Sequence, residues 1–110
     1  MLKLTCKEEL QTLLDKDNKI IIIDFYADWC GPCQHIKQPF QQLSIEKQHI
    51  CSCFSVNVDT SPELSNHCGI KCMPTFQFYH GGIKVGEILG ADINSIKTKL
   101  EELQNMFDIG

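Results

Sequence analysis

The chain has 110 residues, of which 43% are hydrophobic and 22% are charged, and its formal net charge is -4. These values are close to the averages for globular domains, and they exclude a disordered or fibrous chain. The acidic balance argues against a nucleic-acid-binding protein, which normally carries a basic patch or stripe. The length predicts a single domain over residues 1–110.

The cysteine content and the N-terminal segment indicate the cellular compartment in which the protein is expected. Seven cysteines are an odd number, so they cannot form a closed set of disulfides. The N-terminus lacks the apolar stretch of a secretory signal, and the longest aliphatic run, residues 20–23, is too short to cross a bilayer. A reducing, cytoplasmic location is therefore expected, in which most cysteines stay as thiols.

The first half of the chain predicts two helices and a central strand. Thr5 and Glu8 have the spacing of a capping box, which predicts a helix that runs to about residue 17. Residues 19–27 are mostly apolar or β-branched, as in a strand that is covered on both faces. Ile36, Phe40 and Leu43 have helical spacing and predict a second helix, which begins at a Cys-Gly-Pro-Cys motif directly after the strand.

The second half predicts three strands and two helices. Residues 51–58 alternate as in a strand, and Ser61 before Pro62 predicts the start of a short helix toward residue 67. Residues 75–79 and 83–89 predict antiparallel strands joined by a His-Gly-Gly turn. Asp92 is expected to cap a last helix with one apolar stripe. This alternation of strands and helices indicates an α/β fold.

Cys30 and Cys33 have the spacing of a redox-active dithiol. Two cysteines three positions apart on a helix have Cα atoms about 5 Å apart, which lies within disulfide range. The unpaired N–H groups and the dipole at a helix N-terminus stabilise a thiolate at Cys30, the predicted nucleophile. Cys33 is the predicted resolving thiol, which releases the product from a mixed disulfide. Pro32 stiffens the intervening turn and Gly31 permits close backbone approach.

A zinc site is the other interpretation of a Cys-x-x-Cys motif, and it usually requires a second such pair. Cys51 and Cys53 are separated by one residue, and Cys68 and Cys72 by three. The elements that carry these cysteines are expected to lie apart, so no metal is predicted. Cys51 and Cys53, like Cys6, are interpreted as small buried hydrophobic residues.

Two further residues near the dithiol have two interpretations each, and one nearby peptide bond has a statistical expectation. Asp24 is the only charged residue from Ile20 to Ala27, so its carboxyl group is expected to be buried with a raised pKa and is a candidate base for Cys33. Alternatively, Asp24 only bonds a backbone or hydroxyl group near the strand end. Trp29 is either core or an exposed docking surface, and its position favours docking. For the Met73-Pro74 bond, trans is the statistical expectation.

The segment Trp-Cys-Gly-Pro-Cys at residues 29–33, preceded by Ile-Asp-Phe-Tyr-Ala-Asp, resembles the active-site segment of the thioredoxin family. Similar segments follow in order at residues 57–59, 71–78, 84–87 and 90–91, and animal cytosolic members are the most similar. The resemblance implies a thioredoxin fold, with helices on both faces of one central mixed β-sheet. It also implies a cytosolic disulfide reductase with no bound cofactor, to which thioredoxin reductase carries electrons from NADPH.

The resemblance also implies roles for individual residues. Pro74 is similar to the family's cis-proline beside the dithiol, and Asp59 to the partner of the tryptophan indole. Cys68 and Cys72 match positions of extra cysteines in animal members, and Cys72 is a hypothetical regulatory site that forms a disulfide-linked dimer. The substrate groove implied by the family consists of Trp29, Ile70, Met73, Pro74, Gly90 and Ala91.

The chain departs from the family pattern at three places. Ser55 stands where bacterial members often have lysine near the buried aspartate. Pro39 lies one residue later than the usual helix proline, which is expected to turn the kink by about 100° around the helix axis. Cys51 and Cys53 replace strand residues that are usually large and apolar.

Other classes with this fold fit less well. A protein disulfide isomerase domain would carry a secretory signal, a retention tail and a histidine in place of Pro32. A glutaredoxin would have proline directly after its first cysteine and would lack Trp29. A non-catalytic module that binds partners through Trp29 and Met73 is the alternative from a different class, and the two intact cysteines, Cys30 and Cys33, argue against it.

Overall fold

The computed structural model describes residues 1–110, which form five strands and four helices. The strands are β1 (Leu2–Lys3), β2 (Ile20–Tyr26), β3 (Cys51–Asn57), β4 (Thr75–His80) and β5 (Ile83–Leu89). The helices are α1 (Lys7–Lys16), α2 (Gly31–Glu46), α3 (Pro62–His67) and α4 (Ile93–Met106). No helix is both long enough and apolar enough to span a membrane.

All five strands belong to one mixed sheet in the order β1-β3-β2-β4-β5. Strand β2 lies in the middle, parallel to β3 and antiparallel to β4, and all of its residues but Tyr26 are buried. The prediction of a central strand covered on both faces is thus confirmed. The antiparallel hairpin of β4 and β5 is also as predicted, with Gly81 and Gly82 in the left-handed conformation that such a turn requires.

Each face of the sheet has its own apolar core, because successive residues of a strand point to opposite faces. On one face Ile20 and Ile22 of β2 pack with α2 and α4, whose buried residues here are Ile36, Phe40, Leu43, Ile96, Leu100 and Leu103. On the other face Ile21, Ile23 and Phe25 pack with α1 and α3, which contribute Leu10, Leu14 and Leu64. Helices therefore cover both faces, as expected.

The start of the chain differs from the prediction in two ways. Strand β1 was not predicted, because two residues are too few to show a periodicity, and it forms by pairing with Phe54 and Ser55 of β3. The N-cap of α1 is Cys6 rather than Thr5. The N–H of Thr5 donates to the carboxylate of Glu9 at 2.8 Å, so Glu9 takes the place predicted for Glu8.

The cap of α4 and the course of α2 are the next features to compare with the sequence predictions. Asp92 caps α4, because its side chain accepts the backbone N–H groups of Asn94 and Ser95. Helix α2 remains one continuous helix through Pro39, which is exposed. The shifted proline therefore does not break the helix that carries the dithiol.

Candidate active site

The dithiol lies where the central strand passes into a helix. Cys30 is the N-cap of α2 and Cys33 lies in its first turn. The two sulfurs form a disulfide, and the Cα atoms are 5.3 Å apart, in agreement with the separation expected from helix geometry. The backbone N–H of Cys33 also donates to Sγ of Cys30 at 3.3 Å. A negative charge that develops on Cys30 thus meets a donor in place and the positive end of a helix.

The surroundings of the two sulfurs limit access to them. Cys30 and Cys33 are 5% and 3% exposed, and with Ala27 they form a small buried cluster. Gly31 and Pro32, between them, are exposed. A disulfide of another protein therefore reaches the sulfurs only by docking closely against this turn.

The loop before β4 lies against the dithiol. The Met73-Pro74 peptide bond is cis, so the statistical expectation of a trans bond is wrong and the family resemblance is right at this position. The carbonyl oxygen of Met73 is 3.7 Å from Sγ of Cys30. The N–H of Gly90 donates to the carbonyl of Pro74 at 2.9 Å, which brings the end of β5 to the same loop.

Trp29 is exposed beside the dithiol, with 69% of its surface accessible. Its indole N–H donates to Oδ2 of Asp59 at 2.8 Å, which is the bond expected for this pair. The interpretation of Trp29 as core is therefore wrong. Sequence reasoning missed Asn57, whose side-chain oxygen accepts the N–H of Asp59 at 2.9 Å and so holds the partner of Trp29 in place. The one sequence feature that pointed to this role is the position of Asn57 at the end of β3, two residues before Asp59.

Asp24 lies in β2 and is buried, with 7% of its surface exposed. Its Oδ1 has no hydrogen-bond partner. The alternative interpretation, in which Asp24 only bonds a backbone or hydroxyl group, is therefore not supported at this atom. Burial raises the pKa of Asp24 to about 7. Asp24 and Cys33 line one cavity of about 260 Å³, together with Ser55 and Lys37. A cavity of this size with polar walls has room for water, which could carry a proton between the two groups.

The other predicted groove residues differ in how they are placed. Ile70 is half-buried and packs against the core under α1 and α3 rather than against the dithiol cluster. Ala91 is exposed directly after Gly90. The structure thus brings Met73, Pro74 and Gly90 together near Cys30, and it shows no contact of Ile70 with the sulfurs.

The five remaining cysteines are free thiols in different environments. Cys72 is exposed, whereas Cys68 is half-buried and its burial raises its pKa. Cys51 is buried, as interpreted from the sequence, but Cys6 and Cys53 are only partly buried. Nowhere do three or more His, Cys, Asp or Glu side chains converge as metal ligands.

A buried dithiol that opens and closes at a helix N-terminus with little backbone movement defines a thiol-disulfide oxidoreductase. The family model described as thioredoxin matches residues 1–102. The chain is 42% identical over 98 residues to thioredoxin of Homo sapiens, which covers 88% of this chain and 92% of that protein. It is 44% identical over 102 residues to thioredoxin of Callithrix jacchus, with 92% of each covered.

Solved structures give the same result. The chain superimposes on Fasciola hepatica thioredoxin with a TM-score of 0.88 at 28% identity, covering 93% of this chain and 98% of the other. For oxidised mitochondrial thioredoxin 3 of Saccharomyces cerevisiae the TM-score is 0.87 at 29% identity, with 93% and 94% covered. The chain belongs to the thioredoxin family, and with the Cys30-Cys33 pair it is a protein-disulfide reductase.

Proposed function

We propose that Cys30 is the attacking thiol, Cys33 the resolving thiol and Asp24 the base that takes the proton of Cys33. The observation that carries this assignment is the position of Cys30 as the N-cap of α2, with the N–H of Cys33 directed at its sulfur. Cys33 follows inside the helix and shares a cavity with Asp24. The first sulfur is therefore stabilised as a thiolate and the second is placed near a proton acceptor.

The reaction then has two balanced steps. The Cys30 thiolate attacks one sulfur of the substrate disulfide, which forms a mixed disulfide and releases one substrate thiolate. Asp24 accepts the proton of Cys33, whose sulfur attacks Cys30 and releases the second substrate thiolate. Two electrons have moved to the substrate, and the chain holds the Cys30-Cys33 disulfide. A reduced partner must return two electrons before the next cycle.

The surface around Cys30 is the proposed docking site for protein substrates. Trp29 supplies exposed aromatic area that is fixed by its bond to Asp59, and such rigid aromatic side chains favour binding. Ile70, Met73, Pro74, Gly90 and Ala91 are the further residues proposed to line this surface. The proposed contact for the substrate backbone is the Met73-Pro74 loop, whose Met73 carbonyl oxygen is 3.7 Å from Sγ of Cys30.

The proposed electron source is NADPH, delivered through a thioredoxin reductase, with no cofactor bound to the chain itself. The proposed location is the cytoplasm, where the chain would take part in electron transport and redox homeostasis. Five free thiols besides the active-site pair support this location, because a reducing compartment preserves them.

The test is reduction of insulin disulfides with NADPH and a thioredoxin reductase, for the wild type and a Cys30→Ser variant. Turnover is expected for the wild type and should fall to the uncatalysed rate in the variant, because the attacking thiolate is lost. A Cys6→Ser variant is the matched control and should keep full turnover. Activity that persists in Cys30→Ser would contradict the assignment. Partner binding without any wild-type turnover would favour the non-catalytic module.

Cys72 is a proposed site of oxidative dimerisation, since its thiol is exposed next to the Met73-Pro74 loop. Oxidant-treated protein should run as a dimer on a non-reducing gel, and a Cys72→Ser variant should run as a monomer. Cys6→Ser should still dimerise. A dimer that persists in Cys72→Ser would show that another cysteine forms the link.

A further inference from the structure

Cys51 and Cys53 form a second pair of thiols, which the reduction of disulfides does not use. One residue separates them in β3, so their side chains lie on the same face of the sheet. Their Sγ atoms are 3.9 Å apart, and one thiol donates to the other. Cys51 is buried in the core beneath α2 and α4, and Cys53 packs against the same core but is only partly buried.

The separation of these two sulfurs suits a shared ligand better than a disulfide. The sulfurs of a disulfide are about 2.05 Å apart, so this pair would have to close by almost half. Residues two apart on a strand also have Cα atoms about 6.7 Å apart, at the upper end of disulfide range. By contrast, two metal-thiolate bonds of about 2.3 Å at an angle of about 109–120° place their sulfurs roughly 3.8–4.0 Å apart.

The number of ligands selects the kind of ion. Zinc in structural sites takes four protein ligands, and no third His, Cys, Asp or Glu side chain converges on this pair. Thiolate ligands are soft and select Cu(I), which accepts a lower coordination number. A pair of thiols with one open position therefore fits Cu(I) better than Zn(II).

The charges near Cys51 are suited to an anionic complex. Two thiolates and one Cu(I) ion together carry a net charge of one negative unit. The ammonium groups of Lys19 and Lys47 favour a negative charge at Cys51, and the carboxylate of Asp17 opposes it. The backbone carbonyl of Lys47 accepts the N–H of Cys51 at 2.9 Å. The ammonium group of Lys19 donates to the carbonyl of Gln48 at 2.8 Å.

The outer edge of β3 is unpaired beside the two cysteines, which differ in exposure. Strand β1 pairs only with Phe54 and Ser55, so the backbone from Cys51 to Cys53 has no strand beside it on that edge. Cys53 is the more accessible of the two thiols. An ion that arrives from solvent would therefore meet Cys53 before Cys51.

We propose that Cys51 and Cys53 bind one Cu(I) ion, with a third position open to a small thiol. Two copper-sulfur bonds form, the thiol protons leave to solvent, and no electron is transferred. This site is separate from the Cys30-Cys33 pair and does not depend on the reductase mechanism.

The test is an anaerobic titration with Cu(I) in competition with a chromogenic chelator. The background is the Cys30→Ser/Cys33→Ser variant, because the active-site thiols would themselves bind copper. We expect this parent to retain one ion per chain, with two or three sulfur neighbours at about 2.3 Å in X-ray absorption. Adding Cys53→Ser should weaken retention at least tenfold, since loss of even an outer partner of a metal ligand costs about 10–100-fold.

A Cys68→Ser/Cys72→Ser change in the same background is the matched control and should retain the ion. Because the buried site of Cys51 is sensitive to substitution, Cys51→Ala is a second test that introduces no hydroxyl group into the core. It should lose copper as Cys53→Ser does, and thermal unfolding of the metal-free variants checks that each is folded. A parent that retains no copper, equal retention by Cys53→Ser, or loss of copper in the control would each overturn the proposal.

Discussion

Replacing Cys33 with serine is expected to stop turnover and to leave each chain covalently joined to a substrate protein. Cys30 keeps its position at the N-terminus of α2 and still attacks a disulfide. The second thiol that would release the product is absent, so the mixed disulfide accumulates. Mass spectrometry of the variant mixed with a disulfide-containing protein should show one adduct per chain, which dithiothreitol removes.

A variant that lacks both Cys30 and Cys33 is the control for this trap and should form no adduct. Cys6→Ser should turn over normally and leave no adduct at the end of the reaction. Release of the product by Cys33→Ser at the wild-type rate would contradict the assignment, because another thiol would then be the resolving group.

Replacing Asp24 with asparagine is expected to stabilise the fold at neutral and alkaline pH. Burial raises the pKa of Asp24 to about 7 from an ordinary value of 3.8. Between these two pH values the folded chain holds one proton more than the unfolded chain, so its stability decreases as the pH rises. The separation of the two pKa values corresponds to a decrease of about 4 kcal/mol in the free energy of unfolding, which is complete above pH 7. Asparagine, which does not ionise, avoids this loss.

Denaturant unfolding at several pH values measures this effect. The difference in the free energy of unfolding between Asp24→Asn and the wild type should be near zero below about pH 4 and should grow up to about pH 8. Asp15, exposed on α1, supplies the matched control, and Asp15→Asn should show no such growth. A difference that does not change with pH would mean that Asp24 does not titrate in this range.

The same substitution is expected to slow the release of the mixed disulfide. In the wild type Asp24 can accept a proton only when it is ionised, so the release rate should increase as the pH rises through about 7. In Asp24→Asn this increase around pH 7 should be absent. Rapid-mixing measurements of product release across this pH range separate the effect on the base from the effect on stability. An unchanged pH profile would remove Asp24 from the proton transfer.

The dithiol was the part of the site most completely predictable from the sequence. Its spacing along a helix determines the Cα separation, and its place at the start of α2 determines the local charge environment. The contact of Cys30 with the carbonyl of Met73 was not predictable in this way. This contact joins residues 43 positions apart. They meet because β4, which follows Met73, pairs with β2, which leads to Cys30.

The interpretation of the other cysteines shows the same limit. Their number and spacing argued against a closed disulfide framework and against a zinc site, but not for any use of Cys51 and Cys53. The 3.9 Å separation of their sulfurs depends on side-chain orientation within β3, and the open edge beside them depends on the short length of β1.

The sequence by itself determined the order of the long elements, the central position of β2 and the redox-active pair, because each depends on local spacing or on a continuous apolar run. Tertiary structure decided the environment of that pair. It placed Asp24 and Cys33 along one cavity, joined the indole of Trp29 to Asp59, and set the cis Met73-Pro74 bond beside Cys30. These features depend on which distant segments pack together, and such packing free energies are not contained in any local pattern of residues.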